Sequence, residues 1–323
     1  MRSAIAALSA ALVTAFILFV WLRRGRHMPM DVANSRSLHA GAVPRIGGIA
    51  MAAGVATSLL PLGVPAPLAA SLLAAAGLFL FSLLDDWRSL PVLPRLLAHL
   101  LAAFAAVVAT AMPWAWMLPI VLALAWMTNL YNFMDGADGL AGGMAVIGFG
   151  AYGLAAWGHA PELSMTCLVI AGAAIGFLAF NFPPAKAFMG DAGSIPLGFL
   201  AAALGMLGWR DGVWPAWFPV LVFSPFIVDA TVTLWRRLLR GERIWQAHRE
   251  HCYQRLVLAG WSHRRLALTA WLSMMLAALT ALVARSASSA LQAVALLVWA
   301  LIYMGAWIMV DKRKSLDQEP GQT

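Results

Sequence analysis

Eleven runs of about 20 apolar residues set what this chain can fold into, because a helix that crosses a bilayer needs about that many. They cover 3–22, 46–63, 68–84, 95–112, 114–133, 140–157, 163–181, 194–208, 216–235, 266–284 and 290–310. Of the 323 residues, 62% are hydrophobic and 11% charged, which excludes a water-soluble globule of ordinary composition. The expected fold is all-α: a polytopic integral membrane protein of about eleven transmembrane helices.

The first run does not read as a cleavable signal. Its positive cluster, Arg23, Arg24 and Arg26, follows the apolar stretch, and no small-residue cleavage site is evident. Kept as a helix with its N-terminus outside, it sends 23–45, 85–94, 134–139, 182–193, 236–265 and the C-terminal tail to one side. All but three of the 22 Lys and Arg residues (Arg2, Arg210 and Arg285) then lie on that side. The positive-inside rule makes it cytoplasmic, so the expected location is the inner membrane, with the C-terminus in the cytoplasm. Orientation in the membrane accounts for the net charge of +8 without a nucleic-acid partner, and basic loops there also attract anionic substrates. Cys167 falls in a span and Cys252 in a cytoplasmic loop, so no disulfide is expected.

The acids are as lopsided as the bases. Asp85, Asp86, Asp135, Asp138 and Asp191 all sit at cytoplasmic helix ends or in the loops between them, whereas Glu162 and Asp211 face outward. In "SLHAGAVPRIGG", ending at Gly48, Arg45 and a Gly-Gly pair open a helix whose free N–H groups favour an anion, or simply form a loop-to-helix junction. "LLDDWR" places Asp85 and Asp86 at a helix C-terminus, where the dipole disfavours negative charge and a cation between them is the functional reading.

In "NLYNFMDGADGL", Asn129, Asn132, Asp135 and Asp138 recur every third position. Neighbours in that series share a helix or turn face, and their oxygens are hard ligands suited to Mg²⁺; capping a helix end is the plain alternative. "FNFPPAKAFMGDAGS" sets Asp191 and Ser194 before an apolar helix, either as N-caps or as a site where small glycines let a flat ring or diphosphate reach the backbone. In the 236–265 loop, His248 and His251 lie at i, i+3 beside Arg249 and Arg255, a pattern that suits a phosphate clamp, with zinc as the lesser reading. Asp229 is an acid inside a span, a functional candidate by default, or else a partner for Arg236 and Arg237 two turns on.

The order DD, NxxNxxDGxDGL, NxxPAxxFxGDxGS and HxxHxYQRL, spread over about 31–265, resembles the polyprenyl-phosphate N-acetylhexosamine-1-phosphate transferases. The resemblance implies an enzyme, one catalytic transmembrane domain over 1–323 that includes the cytoplasmic His/Arg-rich loop at 236–265. Its implied reaction moves a HexNAc-1-phosphate from a UDP-N-acetylhexosamine to undecaprenyl phosphate at the cytoplasmic face and releases UMP. Mg²⁺ is the implied cofactor, with Mn²⁺ as substitute, and a homodimer is compatible with it. Asp191 is implied as principal metal ligand with Asn132 as second. Asp85, Asp86, Asp135, His248 and His251 are implied to carry the chemistry. Asp138, Asn181, Phe188, Gly190, Arg45 and Arg249 are implied to hold substrate, with Asp138 and Phe188 at the uracil.

"DDWR" lacks the lysine of the muramoyl branch's DDxxK, and "HREHCYQRL" is not its three-histidine run, so the resemblance points away from a pentapeptide substrate. It points toward branches that initiate O-antigen or other surface polysaccharides on UDP-GlcNAc or a deoxy-HexNAc. Ala33 stands where the family often has proline. Two other classes share the composition. A transporter would place its polar residues near the bilayer midplane with repeat symmetry, and an intramembrane prenyltransferase would want a third acid that "DDWRS" lacks.

Overall fold

The computed structural model describes residues 2–25, 29–32, 38, 41–88, 90–243, 245–246 and 248–317. Among them are thirteen α-helices: α1 (Arg2–Arg24), α2 (Gly47–Leu59), α3 (Ala66–Arg88), α4 (Val92–Ala109), α5 (Trp114–Phe133), α6 (Leu140–Ala156), α7 (Pro161–Asn181), α8 (Asp191–Arg210), α9 (Trp217–Val222), α10 (Ser224–Leu239), α11 (Cys252–Leu258), α12 (His263–Ala284) and α13 (Ser289–Asp317). A short antiparallel pair, β1 (Met30–Val32) and β2 (Ala42–Pro44), precedes α2 in the register Met30 to Pro44. The protein is an all-α polytopic membrane protein, as its hydropathy predicts. Eight helices (α1, α3, α4, α5, α7, α8, α12 and α13) are long and apolar enough to span, and Gly47–Leu62 and α6 are shorter apolar helices.

The run at 216–235 is not one helix. It divides into α9 and α10 at Phe223, with Pro225 in the first turn of α10. Proline has no N–H to return to the carbonyl four residues back, which here is that of Leu221. The Ser224 hydroxyl donates to that carbonyl instead, at 2.6 Å, and lies 2.6 Å from the Tyr303 hydroxyl of α13. Side-chain hydroxyls and neighbouring helices are how a broken helix remains tolerable at membrane depth.

α8 is the axis of the bundle: it lies between α3 and α5 and is buried along nearly its whole length. α7 runs between α1 and α6. The α1–α7 approach is set by small residues, since a Cβ at Gly172 would overlap the carbonyl of Ala7, and one at Gly176 that of Ala11. Small residues one turn apart let helix backbones close up where lipid supplies no hydrophobic drive for association. Leu8, Leu12 and Phe16 on the other side of α1 are exposed, the pattern of a lipid-facing surface. This packing gathers the C-terminal ends of α3, α5 and α7 with the N-terminal ends of α2, α8 and α12.

Candidate active site

The centre of the site is the first turn of α8. Asp191 opens that helix, where a carboxylate complements the dipole. Asn132, in the last turn of α5, donates from Nδ2 to Asp191 Oδ1 and to Ser194 Oγ, both at 2.9 Å. The donor side of Asn132 is thus spent on α8, and any cation it meets would meet its carbonyl oxygen. Asp135 follows one turn later, its N–H bonded to the Asn132 carbonyl at 3.2 Å. Burial first, and then the charge of Asp191, push the Asp135 carboxyl well above the usual carboxylate range. The three-residue spacing therefore delivers Asn132 and Asp135 to one place, whereas Asn129 turns its amide back to the Ala125 carbonyl at 2.7 Å.

The two aspartates of "DDWR" have different fates. Asp85 is buried; Arg95 Nε of α4 lies 2.7 Å from its Oδ2, and its Oδ1 accepts the Leu90 N–H at 2.7 Å. It is thereby committed to closing the α3–α4 turn. Asp86 is exposed and feels the charges of Asp191 and Arg45. Neighbours on a helix point about 100° apart, so only one of a pair can face a given centre. Asp86→Ala is expected to lower kcat at least about a hundredfold with the unfolding temperature unchanged. Asp85→Ala is expected to cost about 2 kcal/mol of stability by stranding Arg95 and the Leu90 amide. Thermal unfolding and turnover in one detergent measure both, and small, equal losses of turnover would remove Asp86 from the reaction.

Phe188, Met189 and Gly190 form the lip above α8. The Gly47 and Gly48 amides donate to the Phe188 and Met189 carbonyls, both at 2.9 Å, and the Phe188 amide donates to Pro44 at 2.9 Å. Of the two readings of the α2 N-terminus, the loop-to-helix junction fits, since the Gly47 and Gly48 N–H groups are spent on the lip. Gly190 has φ +70° and packs on Arg45, whose guanidinium bonds Asp31 at 2.6 Å and acts electrostatically on both Asp86 and Asp135. Of the loop before it, 33–37 (Ala33 included) and 39–40 lie outside the described residues.

Asn181, at the end of α7, is buried with both ends of its amide used. It accepts from Gly139 N–H at 2.9 Å and donates to the Ala187 carbonyl at 3.0 Å. It holds the Asp138 loop to the 182–190 loop. Asp138 Oδ2 accepts the Ala185 N–H at 3.0 Å, and its Oδ1 lies 3.4 Å from His263 Nδ1 of α12.

The histidine loop folds back onto this end of the bundle. His248 and His251 have ring centroids 4.8 Å apart, and His251, buried, stacks between Phe133 and Tyr253. Burial first, then His251 and Arg237, push His248 down to about 4, so it is neutral at pH 7. Buried Arg237 pairs with Glu242 at 3.1 Å and Glu250 at 3.7 Å, and Arg240 bonds the same two acids, which ties the loop's ends together. Arg255 joins Arg236 on Asp311 of α13, so it is spent on structure, while Arg249 stands half-buried beside His248.

Asp229 does not pair with Arg236 or Arg237. Its carboxylate receives the Cys252 and Tyr253 amides at the start of α11, at 2.7 and 3.1 Å.

Asp191 thus acts on both Asp86 and Asp135, and Arg45 is a cation common to those two, an excess of negative charge in hard oxygen donors. Among the described residues no group of three or more His, Cys, Asp or Glu has metal-cage spacing. The donor set instead fits an ion such as Mg²⁺, which takes one or two carboxylates and completes its shell with waters and substrate phosphates. Sequence reasoning missed Arg95 and His99 on α4. His99 is buried and feels the charge of Asp191. Their spacing of four residues inside an apolar run, which puts both on one face, was the available signal.

Fold and site together define a multi-pass α-helical membrane protein that gathers carboxylate, amide and imidazole groups at one end of its bundle. The model of glycosyl transferase family 4 matches residues 68–208. A probable undecaprenyl-phosphate N-acetylglucosaminyl 1-phosphate transferase of Bacillus subtilis (strain 168) is 32% identical over 281 residues, 80% of this chain and 78% of that one. The phospho-N-acetylmuramoyl-pentapeptide-transferase of Geobacillus thermodenitrificans (strain NG80-2) is 35% identical over 159 residues, and the chain spans 48% of its length. The chain belongs to glycosyl transferase family 4, among the polyprenyl-phosphate N-acetylhexosamine-1-phosphate transferases.

Proposed function

We propose that this protein transfers a HexNAc-1-phosphate from a UDP-HexNAc to undecaprenyl phosphate, releasing UMP, as the first membrane step of an O-antigen or related surface polysaccharide. The observation that carries this reading is the meeting of Asp86, Asn132, Asp135 and Asp191 at the end of a membrane bundle, where a soluble nucleotide and a lipid acceptor can both arrive. The cation excess outside the spans supports a cytoplasmic position for that end.

Asp191 and the carbonyl of Asn132 would hold the metal, with Asp86 facing the same centre. Bound there, Mg²⁺ or Mn²⁺ supplies positive charge that offsets repulsion between the lipid phosphate and the diphosphate it attacks. Asp135, whose carboxyl is pushed up by burial and by the charge of Asp191, would face the phosphates beside that centre. His248, His251 and Arg249 offer donors from the facing loop, and the Asp138 and Phe188 lips, locked together by Asn181, hold the uracil. No base is needed to activate the acceptor, since a phosphate monoester with a second pKa of about 6 is already largely dianionic at pH 7.

The test is a donor panel with purified protein, undecaprenyl phosphate and Mg²⁺. At least one UDP-HexNAc (GlcNAc, FucNAc or QuiNAc) should exceed UDP-glucose by about a hundredfold or more in kcat/KM, because a site built to hydrogen-bond a substrate amide rejects an analogue lacking it. Equal use of UDP-glucose would remove the HexNAc assignment.

A further inference from the structure

Asp229 lies on α10, between the Asp191 motif and the histidine loop in sequence, and is 8% exposed. An acid in such surroundings is costly unless its oxygens are occupied. The two backbone donors it finds both come from the start of α11. Oδ1 accepts the Cys252 N–H at 2.7 Å and the Thr233 hydroxyl at 3.3 Å, and Oδ2 accepts the Tyr253 N–H at 3.1 Å. His251 Nδ1 is 3.5 Å from Oδ1. The carboxylate therefore fixes where α11 begins, and His251 stands beside it at the helix's N-cap.

The other end of the same unit is fixed on the aspartate loop. Tyr253 Oη donates to the Phe133 carbonyl at 2.9 Å, and a Cβ at Gly136 would overlap that hydroxyl. Phe133 and Gly136 flank Met134 and Asp135, and the His251 ring lies between Phe133 and Tyr253, with centroids 6.2 and 5.9 Å away. A continuous chain of contacts thus runs from Asp229 through the α11 amides and Tyr253 to the turn that carries Asp135.

We propose that Asp229 is a positioning residue for the transfer reaction: through α11 it holds the histidine loop in register with the Asp135 turn, so that both reach the same phosphates. This rests on the function proposed above. Asp229 touches neither substrate nor metal in this role. Its loss acts on kcat, through misplacement of His248 and His251 toward the reacting phosphates, and spares uridine binding, which sits on the far lip at Asp138 and Phe188.

Asp229→Asn is the sharpest variant, since it keeps the volume but sets an NH₂ group against the Tyr253 or Cys252 N–H. It is expected to lower kcat at least about tenfold while KM for the UDP-sugar stays within about twofold, because misplacement by an ångström costs rate more than binding. Asp229→Glu, which keeps two acceptor oxygens, should recover more of the rate than Asn. Tyr253→Phe removes only the far tether, and the Asp229→Asn, Tyr253→Phe double variant should be no slower than Asp229→Asn alone, since both act through one chain.

Cys252 supplies a readout that needs no activity. Its thiol is pushed up to about 12 by burial and then by Asp229, and Cys167 is buried within α7, so a water-soluble maleimide should label the native protein slowly. In Asp229→Asn, Cys252 labelling should quicken about tenfold or more, as the cap no longer holds α11. Retention of more than half of kcat, a rise in KM equal to the fall in kcat, additive losses in the double variant, or unchanged labelling would each overturn the proposal. If the native protein transfers no sugar phosphate while labelling responds as expected, the proposed function fails and the positioning of α11 by Asp229 stands.

Discussion

Asp191→Asn is expected to reduce turnover at least about a hundredfold while the protein still inserts and folds. The substitution keeps a carbonyl oxygen for the Asn132 amide, which now bonds Asp191 Oδ1 at 2.9 Å, and α8 continues from Gly190 with its other contacts intact. What disappears is the negative charge that Asp86, Asp135 and Arg45 all feel. Because that charge would anchor the cation between two phosphates, its loss should appear in kcat more than in UDP-sugar binding. Turnover at saturating Mg²⁺, equilibrium binding of the nucleotide and thermal unfolding, measured on one preparation, separate these effects. Retention of more than about a tenth of the rate would remove Asp191 from the centre of the reaction.

The residues that proved legible in the sequence are those whose neighbours are local. Asn132 and Asp135 were read from a spacing of three, and the helix turn delivers them together. The eleven apolar runs each correspond to a helix or, at 216–235, to a pair, but only eight of the described helices are long and apolar enough to span a bilayer. What could not be read depends on distant partners. The Gly47 and Gly48 amides suit an anion until carbonyls some 140 residues on, at Phe188 and Met189, occupy them. Asp85 and Asp86 are equivalent on paper; a guanidinium arriving from α4 takes one of them. Asp229 offered Arg236 and Arg237 as nearby partners, but each arginine finds acids elsewhere, and a chain reversal 23 residues on brings backbone amides instead. The break at Pro225 was visible in principle, yet an apolar average over a window of 20 residues does not register one missing N–H.

The reaction should also run backwards, and this is the result with the greatest power over the assignment. The proposed step breaks one phosphoanhydride, in the UDP-sugar, and makes another, in the lipid-linked diphosphate. Bond energies then nearly cancel, so the equilibrium constant should fall within a few tens of unity, or about 2 kcal/mol. Purified protein given its lipid-linked product, Mg²⁺ and labelled UMP should therefore form labelled UDP-HexNAc. Omission of the metal should stop the exchange, as should Asp191→Asn, since the same charges stabilise one transition state approached from either side. A transporter gives no exchange at all, because it makes and breaks no anhydride. A prenyltransferase releases diphosphate and leaves UMP untouched. Should labelled UMP never enter a nucleotide sugar under conditions where the forward transfer proceeds, the leaving group is not UMP. The group of Asp86, Asn132 and Asp191 would then have to be assigned to a different phosphoryl chemistry.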